Sequence, residues 1–252
     1  MLHAFITYEL GFKGLVGYYF QNIPLPVSLA LILVYVFVPY LLGSLNTAMI
    51  VSRIMYNDDI RRHGSSNAGF TNVMRTYGKR AAVFTLLGDI LKTIVSIMIG
   101  WCVFGYLTAF IAGFCCFIGH IFPVYYGFRG GKGVLCFISM LIMLDWRVFL
   151  VLLLVFACAL LTSKYISLGS VMCALLYPII TNRLNSIFLS RYASAPLGEL
   201  PGVLFFTEII TILTAVTIVV KHRANIKRIM DGTESKFKIK KSKSVDSSDS
   251  EE

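Results

Sequence analysis

Polar residues are scarce along this chain, and they gather between long apolar runs. The first continuous apolar run extends from Leu25 to about Val51, which exceeds the roughly 20 residues a membrane-spanning helix needs. Further runs cover about 81–100, 104–121, 134–146, 148–162, 166–182 and 203–220. Read as helices they give seven spans. The runs 134–146 and 148–162 are short and parted only by Asp145-Trp146-Arg147, so merging or demoting short runs gives five or six. The pattern predicts an all-α, polytopic integral membrane protein with short polar loops. Residues 1–26 read as an N-terminal extension without a cleavable signal, 27–234 as the membrane domain, and 235–252 as a charged, disordered tail. The segment 182–202, with Pro196 and Pro201, reads as the longest loop on the other face.

Between the spans lie three stretches in which flexible backbone meets cationic side chains. They are Arg61 to Asn72, Gly119-His120-Ile121-Phe122-Pro123 continuing to Arg129-Gly130-Gly131-Lys132-Gly133, and His222 to Arg228. In the seven-span count, two spans separate the first stretch from the second and four separate the second from the third. Even numbers place all three on one side of the membrane.

Composition agrees with a membrane protein. Hydrophobic residues make up 57% of the 252 residues and charged residues only 14%, with a mean hydropathy of +0.75, outside the usual range of soluble domains. The net charge of +10 arises mainly from residues 53–80 and those after Lys221, flanking apolar runs. That is the signature of cytoplasmic loops rather than of nucleic-acid binding. The expected location is therefore the cell membrane, with the three stretches facing the cytoplasm. The six cysteines lie in or beside apolar runs without ligand spacing, so they read as small buried hydrophobes, and neither metal nor cofactor is expected.

The candidate chemistry is anion binding. Gly130-Gly131-Lys132-Gly133 would let backbone N–H groups converge while Lys132 supplies a charge. It is not a Walker A loop, since the spacing differs and no Ser or Thr follows Lys132. Ser65, Ser66, Asn67, Thr71 and Asn72 crowd hydroxyl and amide groups into eight positions, more than one helix cap requires. Arg75 follows Asn72 by three residues, on one helical face, and could hold a phosphate bidentately. His222 and Asn225 share the same spacing at the end of the last span. Asp89 and Lys92, three apart within an apolar run, are expected to pair with each other. His120 reads first as a helix-terminus residue. No Ser-His-Asp order, H-x-x-x-x-D motif or D-G-x-x-A-R pattern is present.

Together, Gly43-Ser44, Asp59-Ile60-Arg61, Gly64 to Asn72, Gly119 to Pro123, Gly130 to Gly133 and His222 to Ile226 resemble the PlsY family of bacterial acyl-phosphate:glycerol-3-phosphate acyltransferases, in order from about Tyr40 to Glu234. The resemblance implies a seven-helix membrane enzyme. Its expected reaction transfers an acyl chain from acyl phosphate to the 1-hydroxyl of glycerol 3-phosphate, giving lysophosphatidic acid, with no acyl-CoA or acyl carrier protein. It implies that Ser65, Arg75, Lys132, His222 and Asn225 bind glycerol 3-phosphate or assist transfer. Gly130, Gly131 and Gly133 would lie near the acyl-phosphate group, with Asn67, Thr71 and Asn72 close by. An acyl phosphate is already activated, so the protein's task is to hold two anions together; a substrate phosphate oxygen would take the hydroxyl proton, with His222 as the alternative.

The chain departs from the family pattern at several positions. Ser66 replaces a usual glycine, Phe70 a usual alanine, Arg129 a common lysine, Leu135-Cys136 a common Ala-Thr, and Asn46 and Ala48 a familiar Pro and Gly. A different class, a transporter or non-catalytic binder of a phosphorylated or lipid anion, would also use intramembrane Asp89 and Lys92 beside a one-sided basic cluster. The sequence shows no inverted repeat of the kind transporters carry.

Overall fold

The computed structural model describes residues 11–19, 23–189 and 200–237, and among them every regular element is helical. The helices are α1 Gly11–Tyr19, α2 Leu25–Ser44, α3 Thr47–Tyr56, α4 Phe70–Tyr77, α5 Lys79–Phe104, α6 Tyr106–Ile121, α7 Val134–Leu144, α8 Trp146–Ser163, α9 Ile166–Leu189, α10 Leu200–Lys221 and α11 Arg223–Met230.

Local chemistry explains the breaks between them. The run read as one span from Leu25 to Val51 is two helices, because Asn46 leaves the helical conformation and its side chain caps α3 by accepting from Met49 N at 3.1 Å. Asp145 ends α7 and caps α8, with its Oδ1 accepting from Arg147 N at 3.0 Å. Lys164, in the left-handed region, closes α8.

Six helical segments are long and apolar enough to cross a membrane: Leu25–Tyr56, Lys79–Phe104, Tyr106–Tyr126, Trp146–Ser163, Ile166–Asn185 and Gly202–Lys221. The remaining apolar helix, α7, has only 11 residues, a rise of about 16 Å against a hydrocarbon core of about 30 Å. The seven-span count is thus six long helices and one short one. α7 is followed by the 18-residue α8. The loop expected over 182–202 is also shorter, since α9 continues to Leu189; residues 190–199, with Pro196, lie outside the described residues. So does the charged tail after Phe237, whose backbone N–H still donates to Lys164 O at 2.7 Å.

α2, α5 and α6 pack together, α8, α9 and α10 form a second group, and α6, α7 and α10 join the two. The larger apolar cluster centres on Phe117, Met140, Leu152, Tyr177 and Ile218; a smaller one, with Ile60, Ala68, Val73 and Ala82, supports the first polar stretch. Inward-facing hydroxyls satisfy themselves locally: Thr85, Thr93, Ser96 and Ser139 each donate to the carbonyl four residues earlier. Large apolar side chains such as Leu33, Phe37, Leu91, Leu154 and Phe205 point outward and are exposed, as a lipid-facing surface requires. Cys116, Cys136 and Cys173 are buried as expected, whereas Cys158 is exposed on that outer surface.

All three polar stretches lie at one end of the bundle, as the even number of spans between them predicts. The ends of α2, α6 and α10 and the starts of α5, α7 and α9 gather at one end of the bundle, where Tyr40 Oη donates to Phe122 O at 3.0 Å and Ser167 Oγ to Glu234 Oε1 at 2.7 Å.

Candidate active site

A cavity of about 790 Å³ opens at that end. Its polar part is lined by Ser65, Asn67, Thr71, Asn72 and Arg75 from the first stretch, Lys132 and Gly133 from the second, and His222 and Asn225 from the third. Phe137, Leu141, Phe149, Leu152 and Phe156 continue the wall as an apolar channel between α7 and α8.

The third stretch is tied to the second by a chain of hydrogen bonds. Lys132 Nζ makes a short hydrogen bond to Asn225 Oδ1. Asn225 Nδ2 donates to Glu234 Oε1 at 2.7 Å, an arrangement that fixes which way the amide faces. Glu234 also accepts from Ser167 Oγ at 2.7 Å and from Arg228 Nε at 2.7 Å. Burial alone raises the Glu234 pKa, but the bonds from Ser167, Asn225 and Arg228 outweigh it and hold the carboxyl below its ordinary value. Lys132 is pushed down to about 8, first by burial; Glu234 opposes the shift, while Arg228 and Arg75 add to it. His222 is pushed down to about 4 by burial and by Lys132, so it is neutral at pH 7. Its Nδ1 lies 2.8 Å from Ile218 O. A carbonyl only accepts, so the ring proton is on Nδ1 and Nε2 carries the free lone pair.

The loop of the first stretch is built around Asn72. Its Nδ2 donates to Ile60 O at 3.1 Å and His63 O at 2.9 Å, and its Oδ1 accepts from Ser65 N at 3.0 Å. Asn72 is 1% exposed, and its amide shapes the loop that carries Ser65 and Asn67. Ser66, where the family pattern has glycine, adopts φ +55°, a conformation that disfavours L-residues by about 1–2 kcal/mol. Phe70 opens α4 and packs on the small apolar cluster. Arg75 stands on α4 and faces the cavity from that loop's far side.

The glycine turn corrects one expectation. Gly130 N donates to Ile121 O and Gly131 N to His120 O, both at 3.2 Å, so these two N–H groups close the end of α6 and do not converge on an anion. The two glycines are there because the turn runs hard against α6: a Cβ on Gly131 would lie 2.2 Å from His120 Nε2 and 2.7 Å from Ala68 O. Gly130 lines a separate, smaller pocket of about 380 Å³ with Asp59, Arg61, Ser66 and Arg129. Gly133, at φ +77°, opens α7, and Gly133, Val134 and Leu135 of that first turn line the cavity, where the helix dipole favours an anion.

The family model described as glycerol-3-phosphate acyltransferase matches residues 33–232. The chain belongs to that family. This acyltransferase is 36% identical over 226 residues to the glycerol-3-phosphate acyltransferase of Mycoplasmopsis agalactiae, covering 80% of this chain and 91% of that one. It is 37% identical over 202 residues to the Brucella canis enzyme of the same name, covering 80% and 90%. Its fold is similar to the crystal structure of PlsY (YgiH), an integral membrane glycerol 3-phosphate acyltransferase, in the glycerol 3-phosphate form, with a TM-score of 0.66 and 29% identity over 83% of this chain and 96% of that one. The lysophosphatidic acid form matches with the same TM-score and coverage at 26% identity.

Ser167 and Glu234, which also line the cavity, are not singled out by the sequence; Asp89 and His120, which are, line it too. Ser167 carries no local signal, and Glu234 is the last residue of the resemblance. Asp89 pairs with Lys92 as expected, at 2.8 Å, but His120 completes the group, with Nδ1 3.0 Å from Lys92 Nζ.

Proposed function

We propose that this acyltransferase moves an acyl chain from acyl phosphate to the 1-hydroxyl of glycerol 3-phosphate, releasing lysophosphatidic acid and inorganic phosphate. The observation that carries the reading is a single cavity with a cationic, hydrogen-bonding end and an apolar channel, the two halves needed for a small phosphate ester and a fatty acyl chain. In this reading Lys132 and Arg75 bind phosphate oxygens, and Ser65, Asn67, Thr71, His222 and Asn225 supply neutral hydrogen bonds. Asn72 shapes the loop, and the glycine turn of Gly130, Gly131 and Gly133 sets the depth of Lys132. The basic residues at this end, including Arg62, Lys79, Arg80, Arg223 and Lys227, support placing it on the cytoplasmic face of the cell membrane.

In the reaction the 1-hydroxyl oxygen attacks the acyl carbon, the bond from that carbon to the phosphate oxygen breaks, and the hydroxyl proton ends on phosphate. The cations and the first turn of α7 stabilise the charge that develops on the phosphate and the acyl oxygen. His222, neutral with a free Nε2, accepts a hydrogen bond in the site, but a group held near 4 is too weakly basic to be a well-matched general base at neutral pH. Because the acyl phosphate is already activated, transfer goes directly to the hydroxyl with no covalent intermediate on the protein. Purified protein mixed with acyl-labelled palmitoyl phosphate should form labelled lysophosphatidic acid only after glycerol 3-phosphate is added, and the protein itself should carry no label. Label held covalently by the protein would overturn direct transfer.

A further inference from the structure

Ser66 holds φ +55°, a backbone conformation that L-residues seldom adopt, in the middle of the loop that carries Ser65 and Asn67 to the cavity. Strain of this kind persists only where surrounding contacts over-determine the backbone. Within the loop, Ser66 N donates to His63 O at 2.9 Å, and Asn72 Nδ2 donates to the same carbonyl at 2.9 Å. His63 is thus the residue to which the strained turn is tied.

Its side chain is held from outside the cavity. His63 Nε2 lies 2.6 Å from Asp58 Oδ2, and Tyr77 Oη donates to that oxygen at 2.7 Å. A carboxylate only accepts, so His63 Nε2 carries a proton and donates. Asp58 Oδ1 accepts from Asp59 N at 2.7 Å, which leaves both carboxylate oxygens engaged. The bonds from Tyr77 and Asp59 N, with His63 nearby, hold the carboxyl below its ordinary range. Tyr77 is fixed in turn. Its ring stacks on that of Tyr56, with centroids 4.2 Å apart and planes at 10°, and its carbonyl accepts from Tyr56 Oη at 3.4 Å. Tyr56 ends α3 and Tyr77 ends α4, so these contacts tie the helices on either side of the loop to His63. Tyr56, Asp58, His63 and Tyr77 are not among the residues that line the cavity. We propose that they form a clamp that keeps the Ser66 turn in its strained conformation, which makes His63 a positioning residue for the Ser65 and Asn67 groups that meet substrate. The link to substrate rests on the acyl-transfer reading.

The test measures kcat/KM for glycerol 3-phosphate with palmitoyl phosphate as donor and, separately and without substrate, amide hydrogen exchange over residues 63–72. His63→Leu should lower kcat/KM by about tenfold, since a displacement of about 1 Å can cost more than that. Exchange at Ser65 and Ser66, whose N–H groups are bonded within the loop, should quicken by about tenfold. His63→Gln, whose amide can donate to Asp58, should stay within about threefold of wild type in both measurements. Ser66→Gly removes the strain, so adding His63→Leu to it should cost about threefold or less. A general structural role for His63 would not depend on residue 66. Normal kcat/KM in His63→Leu, or an equal loss with and without Ser66→Gly, would overturn the proposal. If wild type forms no lysophosphatidic acid, the acyl-transfer reading fails, and exchange alone decides the clamp: quickened in His63→Leu it stands, unchanged it falls.

Discussion

Lys132→Ala should lower kcat/KM for glycerol 3-phosphate by more than about tenfold, the loss of one charge-assisted bond worth about 1.5–3 kcal/mol. The protein should still insert and fold, because the substitution removes a side chain that lines the cavity and leaves the helix contacts in place. The same lysine sets a pH limit. Burial holds its free ammonium near 8, with Arg228 and Arg75 adding to the shift and Glu234 opposing it. Since kcat/KM reports groups of the free enzyme, it should be maintained below that value and fall as pH rises through it, when the cation is lost. In Lys132→Arg the alkaline fall should move upward, because a guanidinium stays charged. A steady-state pH series on detergent-purified wild type and both variants checks all three statements. Near-normal turnover by Lys132→Ala would remove Lys132 from the site.

Gly131→Ala is expected to be comparably damaging through geometry alone. The added methyl would meet His120 Nε2 at 2.2 Å and Ala68 O at 2.7 Å. The carbonyl is backbone and cannot swing aside, and the ring is pinned by Lys92. The turn must lift, and Lys132, the next residue, lifts with it. A displacement of about 1 Å in a reacting arrangement can cost on the order of a hundredfold, so activity should drop by more than about tenfold. Gly202→Ala, where a Cβ meets nothing within 4 Å, serves as the control and should leave activity within about twofold, as surface substitutions usually do. Parallel assays with a folding check by thermal unfolding separate the two. Full activity in Gly131→Ala would show that the close approach of turn and helix does not matter.

The membrane class, the gathering of three polar stretches at one end and most of the cavity's polar lining were legible in the sequence. Apolar length and charge placement are local properties, and the even-span argument needs only a count. Lys132 and Asn225 stand 93 positions apart and still bond. What stayed hidden depends on which way a helix face turns. Asp89 and Lys92 announced a pair by their spacing, yet nothing local shows that His120 of α6 closes the group or that Asp89 reaches the cavity. The break at Asn46 is hidden in the sequence because a single polar cap barely changes the hydropathy of a long run. Asn72 looked like a binding residue, whereas three backbone partners hold it in the loop. That the N–H groups of Gly130 and Gly131 close the end of α6 could not be read either, since it follows from how the turn folds back onto that helix.

The central claim is that two anions meet in this cavity and that the acyl donor is already activated as a phosphate anhydride. Purified protein should be given glycerol 3-phosphate with palmitoyl phosphate, and in parallel with palmitoyl-CoA, while lysophosphatidic acid is followed. Product from palmitoyl phosphate and none from palmitoyl-CoA is the predicted result. Product from palmitoyl-CoA alone, or none from either donor in folded protein, would contradict it.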